Sequence, residues 1–155
     1  MTIRFDSSDG RFVHLDAVAY EADLKNWPPN NWLMIELDAS DGSSHWHRLT
    51  SALETADVRR LARFLRDAAE DRDLPAWGWG ATEPDIELAI ERGVTVKQHR
   101  VTVRLNCHFH RDFVGEPCYQ EWMDLPFLLS NEDLLRIAND ADDLVLRFPE
   151  RPRDS

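Results

Sequence analysis

Strict alternation of apolar and polar side chains between residues 99 and 110 is the feature that most constrains the fold. Apolar side chains occupy every second position, at Val101, Val103, Leu105, Cys107 and Phe109. Because successive side chains of a strand point to opposite faces, the pattern predicts one long strand with a core face and a wet face. A strand that is wet on one face is typical of an antiparallel sheet.

Further runs of this kind predict the other strands. Strands are expected at residues 13–20, 32–39, 44–49, 85–91, 99–110 and 119–129. Asp41-Gly42 is a hairpin signal between the second and third of them. Pro126 cannot donate a ladder hydrogen bond, so the last strand is expected at a sheet edge or with a bulge.

Two capping signals predict helices. Ser51 and Glu54 fit a capping box, which predicts a helix from there to about Ala69. A second signal at residues 130–133 predicts a terminal helix that Pro149 ends. The predicted order is three strands, a helix, three strands and a helix. We therefore expect an α+β fold with one antiparallel sheet of about six strands and two helices packed on one face.

Length and composition predict a single cytoplasmic domain. The 155 residues suit one domain with a core at about residues 12–149 and a short flexible C-terminal tail. No apolar run approaches the ~20 residues of a membrane span, and the N-terminus does not resemble a signal peptide. Cys107 and Cys118 could meet across a hairpin, but reduced thiols are expected in the cytoplasm.

The charge of the chain indicates what kind of partner it could attract. Its 29 acidic residues exceed its 18 basic residues and give a net charge of -11. Such a field can raise the encounter rate with a basic surface by roughly 10 to 1,000-fold at low salt, and it repels phosphates. The sequence therefore predicts a basic protein partner, and neither nucleic acid nor a membrane.

Histidines supply the only metal-binding candidates in the sequence. His45 with His47, and His108 with His110, each place two imidazoles on one side of a predicted strand. Two such pairs on neighbouring strands could bind zinc or another divalent ion. Solvent exposure explains His108 and His110 without a ligand, so metal binding is kept only as the alternative interpretation.

Catalytic patterns are weak in this chain. Glu83, Asp85 and Glu87 are expected on one strand face, and paired acids of this kind occur in hydrolases. A wet strand in an acidic protein gives the same spacing. The sequence has no nucleophile elbow, no phosphate-binding glycine loop and no HExxH helix. We therefore expect a protein that is not an enzyme and needs no cofactor.

A loop with two tryptophans is the candidate contact with a partner. Trp77 and Trp79 flank Gly78 in the predicted loop 74–80. Tryptophan is enriched where interfaces concentrate their energy, so both are predicted to bind a partner. The alternative is that the loop folds back and both rings cap the core, because small domains seldom leave two indoles in water.

The chain resembles the WapI-type immunity proteins in the order and spacing of short motifs. The matching residues are Trp32-Leu33-Met34-Ile35, Leu49-Thr50-Ser51 before a helix with Leu61 and Phe64-Leu65, Thr82-Glu83-Pro84, and the ending from Leu144 to Phe148-Pro149-Glu150-Arg151. The resemblance covers about residues 32–151. It implies a bacterial cytosolic protein that neutralises a toxin domain by stoichiometric binding. Two alternatives remain: a metal-binding protein or metal-dependent enzyme that uses the histidine pairs, and a subunit of a host assembly.

Overall fold

A computed structural model of the chain describes residues 2–21, 30–115, 118 and 121–152. Within these residues, a set of four strands followed by a helix occurs twice in succession. The first half consists of β1 (Ile3–Asp6), β2 (Arg11–Tyr20), β3 (Trp32–Asp41), β4 (His45–Glu54) and α1 (Thr55–Ala69). The second half consists of β5 (Trp79–Gly80), β6 (Ile86–Glu91), β7 (Gln98–Leu105), β8 (Met123–Ser130) and α2 (Asn131–Arg147), with a 3-10 helix at Cys107–Phe109.

Each half forms its own antiparallel sheet with its strands in chain order. The α+β class is confirmed, whereas the expectation of one sheet with about six strands is corrected to two sheets of four. β1 has four residues and β5 has two, so neither is long enough to produce a recognisable alternation. β5 pairs with β6 and begins the second sheet after α1.

The first sheet is a meander whose last hairpin, between β3 and β4, follows the predicted turn chemistry. The Asp41 side chain accepts hydrogen bonds from the backbone N–H groups of Ser43 and Ser44, at 2.9 and 2.6 Å. Gly42 has a φ of 94°, which a tight hairpin turn favours in glycine. Along β3, Leu33, Ile35, Leu37 and Ala39 are fully buried, as their shared face predicts.

The start of α1 differs from the prediction. Ser51 and Leu53 continue β4, where they pair with Met34 and Leu33 of β3. The helix begins at Thr55, and its capping box is formed by Glu54 and Asp57. The Ser51–Glu54 spacing matches the motif but lies in a strand, because Ala52 and Leu53 are buried in the sheet. The predicted end at Ala69 is confirmed.

β7 ends at Leu105, so the predicted strand to His110 is too long. The Asn106 side chain accepts a hydrogen bond from the Cys107 backbone N–H at 2.8 Å. Cys107 then takes a φ of 47°, which turns the chain out of the sheet. Phe109 is nevertheless fully buried, so a turn reproduces the burial pattern of a strand.

The final strand and helix follow their sequence signals. β8 lies at the edge of the second sheet, as Pro126 predicts; the predicted start at Tyr119 lies outside the described residues. Ser130 accepts a hydrogen bond from the Asp133 backbone N–H at 3.1 Å, and Asp133 accepts one from Ser130 at 3.0 Å, which confirms the second capping box. Among the described residues, no helix is long and apolar enough to cross a membrane.

One continuous set of buried residues joins both sheets and both helices. Phe5 in β1 and Phe127 in β8 have ring centroids 6.0 Å apart. The Trp46 indole in β4 donates a hydrogen bond to the backbone oxygen of Phe109 at 3.0 Å. Arg66 in α1 donates to the Asn139 side chain in α2 at 2.8 Å. The two halves therefore share a core.

Candidate functional site

The two loop tryptophans point in different directions. Trp79 is 2% exposed, and its indole donates a hydrogen bond to the backbone oxygen of Asp57 at 3.2 Å. Trp77 is 67% exposed. The interpretation that both rings cap the core therefore holds for Trp79 alone, while Trp77 remains accessible to a partner.

Gly78 is what allows this arrangement. Its φ is 87°, and a Cβ at this position would lie 2.1 Å from the backbone oxygen of Leu88 in β6. Only glycine lets the chain pass β6 this closely in a left-handed conformation. The tight passage directs one indole inward and leaves the other on the surface.

Trp77 forms one wall of a groove of about 350 Å³ between the loop and α1. Arg63, Phe64 and Pro75 contribute to the other walls. We call these four residues the Trp77 surface. Arg63 has no ion pair within the described part of the chain, whereas the neighbouring arginines of α1 pair with carboxylates. The surface therefore offers an accessible indole beside an accessible guanidinium.

A fully buried carboxylate holds this loop against α1. Asp57 accepts hydrogen bonds from the backbone N–H and the hydroxyl of Thr82, at 3.1 and 2.9 Å. It also accepts the Glu54 backbone N–H at 2.8 Å and pairs with Arg60. Asp57 is not among the residues predicted from the sequence. The sequence feature that could have identified Asp57 is a second capping-box spacing, from Glu54 to Asp57, directly before the apolar stripe of α1.

A second depression, of about 290 Å³, is acidic. Glu21, Glu83 and Asp85 line it together with Trp32, Ser51 and His108. We call it the acidic cleft. Among the described residues, neither arginine nor lysine lines it, and its carboxylates suit a cationic group.

Asp85 orients His108 at the base of the acidic cleft. Asp85 is 2% exposed, and it lies 3.0 Å from both the backbone nitrogen and Nδ1 of His108. This contradicts the expectation that Glu83, Asp85 and Glu87 share a strand face. Asp85 lies in a turn before β6, while Glu87 lies within β6 and pairs with Arg104 at 3.1 Å.

The four candidate histidines do not converge. His45 and His47 do share the exposed face of β4, but they pair with Asp38 and Glu36 of β3. His108 pairs with Asp85, and His110 accepts the Asp112 backbone N–H on its Nδ1 at 3.0 Å. The 3-10 helix removes the alternation that placed His108 and His110 on one side. Within the described ranges, no group of three or more His, Cys, Asp or Glu side chains could hold a metal ion.

An arginine links the hairpin between β3 and β4 to the segment after the 3-10 helix. Arg111 lies 2.6 Å from Asp41 and 3.1 Å from Asp112. The pKa of Asp41 is lowered by hydrogen bonds from the backbone N–H groups of Ser44 and Ser43, and further by Arg111. The Asp41 carboxylate therefore stays ionised to lower pH than a free aspartate.

Comparison with known proteins identifies one family. A family model described as the immunity protein WapI-like family matches residues 4–149. No curated protein and no solved structure gives a significant match. The matched range contains both sheets except for Ile3, both helices, the Trp77 surface and the acidic cleft.

Proposed function

The chain belongs to the WapI-like immunity protein family, and we propose that it protects a bacterial cell by binding a toxin domain stoichiometrically in the cytoplasm, without turnover. The observation that carries this proposal is the family match, which spans nearly the whole chain. The fold supports it with accessible binding features at the Trp77 surface.

The Trp77 surface is the proposed anchor of the complex. Tryptophan and arginine are the side chains most enriched among residues that dominate binding energy. Trp77 and Arg63 provide both on the walls of one groove, and the exposed Pro75 adds apolar area beside the almost completely buried Phe64. Because Asp57, Thr82 and Trp79 hold the loop in place, binding would need little reordering of the loop.

The excess negative charge is proposed to attract a basic toxin from a distance. Carboxylates without an ion pair in the described part of the chain occur from the end of β2 to α2: Glu21, Asp71, Asp73, Glu83, Glu121, Glu132, Asp140 and Asp143. A dispersed charge of this kind acts mainly on the association rate. It assigns no local contact, which is why the anchor is placed at Trp77.

Co-expression with the toxin tests the function. The C-terminal region encoded by the adjacent open reading frame is expressed in a sensitive host, with and without this protein. We expect growth only when the protein is present, and a one-to-one complex in titration calorimetry. Rescue by a small fraction of the toxin's molar amount would instead indicate catalysis. Failure to rescue and failure to bind would together refute the proposal.

Paired variants test the anchor. Trp77→Ala should weaken toxin binding at least about 30-fold, which corresponds to a hot-spot loss of about 2 kcal/mol, while leaving thermal stability unchanged. Leu146→Ala is the matched control, because Leu146 is an apolar side chain that is 78% exposed on α2. Equal affinity of both variants and the wild type would place the contact elsewhere.

A further inference from the structure

We propose that Cys107 and Cys118 are a redox-active pair that closes into a reversible intramolecular disulfide. Neither cysteine is in a disulfide in the structure. The Cys107 thiol donates a hydrogen bond to the backbone oxygen of Cys118, with Sγ 3.6 Å from that oxygen. Both residues line one cavity of about 230 Å³ beside Asp85 and His108. This inference is independent of toxin binding.

The Cys107 sulfur lies close to the backbone of Cys118. A carbonyl oxygen lies about 2.4 Å from its own Cα, so the Cys107 sulfur lies within roughly 6 Å of the Cys118 Cα. Disulfides form between residues whose Cα atoms are about 4.4 to 6.8 Å apart. That range is measured from Cα to Cα, so the bond requires the Cys118 side chain to rotate toward the Cys107 sulfur and the backbone to bring the two Cα atoms into it.

The environments of the two thiols give them different roles. Cys107 is 7% exposed and is held in place by the hydrogen bond from its N–H to Asn106. Cys118 is only half-buried. An oxidant in solution therefore reaches Cys118 first, and Cys107 is the resolving thiol.

The reaction is an exchange with a small-molecule disulfide such as oxidised glutathione. The Cys118 thiolate attacks one glutathione sulfur, which breaks the glutathione disulfide and releases one glutathione thiolate. The Cys107 thiolate then attacks the Cys118 sulfur, forms the internal bond and releases the second glutathione thiolate. The two protons lost by the cysteines pass to the released thiolates. Two cysteine sulfurs are oxidised, and the two sulfurs of the reagent are reduced.

The closed loop would restrain a segment that connects the two sheets. Residues 107 and 118 are eleven positions apart. Between them, His110 and Arg111 provide backbone oxygens that accept hydrogen bonds from Arg48 of β4, at 3.2 and 2.9 Å. Since a cross-link lowers the entropy of the unfolded chain, the oxidised protein should unfold at higher urea concentration than the reduced protein.

Mass spectrometry of the native full chain tests the pair. The protein is incubated with oxidised glutathione, quenched with iodoacetamide and digested without reductant. We expect a monomer lighter by two hydrogen atoms, one linked peptide pair that contains Cys107 and Cys118, and reversal by dithiothreitol. In Cys107→Ser, the glutathione adduct on Cys118 should persist, because the resolving thiol is absent. In Cys118→Ser, Cys107 should stay unmodified.

Two outcomes would overturn the inference. One is a wild-type protein that accumulates the glutathione adduct to the same extent as Cys107→Ser. The other is a dimer linked between chains, with a yield that rises with protein concentration. Neither outcome bears on toxin neutralisation, because the readout contains no toxin.

Discussion

Replacing Asp57 with alanine should remove several kcal/mol of stability. The carboxylate is fully buried and accepts two backbone N–H groups, from Glu54 at 2.8 Å and Thr82 at 3.1 Å, as well as the Thr82 hydroxyl at 2.9 Å. A buried donor that loses its acceptor costs about 1 to 3 kcal/mol. The ion pair with Arg60 adds little, because that guanidinium is half exposed.

The expected total for Asp57→Ala is about 3 to 5 kcal/mol, after allowance for partial relaxation and water entry. Domains of ordinary stability unfold with about 5 to 15 kcal/mol, so the variant should be marginally folded. The assay is urea unfolding at neutral pH, followed by tryptophan fluorescence and by circular dichroism. The two signals should give the same midpoint if unfolding is two-state.

Two further variants separate the hydrogen bonds from other effects. Asp57→Asn keeps one acceptor oxygen and the shape of the side chain, so about half of the loss is expected. Asp67 lies on the same helix, and its carboxylate forms a 3.6 Å ion pair with Arg72 at the surface. Asp67→Ala should therefore lower the free energy of unfolding by less than about 1 kcal/mol. If Asp57→Ala proved as stable as Asp67→Ala, the assignment of Asp57 as the residue that holds the loop against α1 would be wrong.

Two other predictions concern the backbone and pH. Gly78→Ala should cost more than about 2 kcal/mol, because its Cβ would collide with the β6 backbone at a left-handed φ. Gly93→Ala should cost only about 1 kcal/mol, because Gly93 shares a positive φ but faces open space; equal midpoints in urea would contradict the collision. Asp41 has a pKa that folding lowers, so its contribution is present above the unfolded pKa of about 3.9 and is lost as pH falls through the folded value. In Asp41→Asn, the free energy of unfolding should therefore fall less steeply below about pH 4 than in the wild type. The same pH dependence in both proteins would exclude this contribution of Asp41.

Regular elements with a long pattern were predictable from the sequence. β3 was predictable, because Leu33, Ile35 and Leu37 must share a face in any strand, and that face is buried. α2 was predictable, because its capping residues accept hydrogen bonds from backbone N–H groups that are left without a partner at the start of any helix. In both cases, the interactions that determine the element are between residues close together in the sequence.

Features decided by distant contacts were not predictable. The capping-box spacing at Ser51 is real, but pairing with β3 determines that this segment is a strand. The alternation to Phe109 is real, but the left-handed Cys107 ends the strand and separates His108 from His110. The division into two sheets depends on β5, whose two residues carry no pattern of their own.

Only part of the candidate site was predictable, because the rest depends on contacts between residues that are distant in the sequence. A loop with Trp77 and Trp79 is visible in the sequence, whereas the choice of the buried ring depends on where Leu88 of β6 lies. Asp85 and His108 are 23 positions apart, and only the folded chain brings them together. Arg63 is one of several arginines in α1, and that it forms no ion pair with the carboxylates of the described residues depends on where the fold places them.

The glycine between the two indoles also limits how this loop can diverge. Adding or deleting a single residue there would exchange the inner ring for the outer one, which would empty part of the core and withdraw the anchor at the same time. Pro75 and Ala76, which precede Trp77, carry no such restriction, since they are exposed. We therefore expect relatives that recognise different toxins to vary the loop in chemistry while keeping its length.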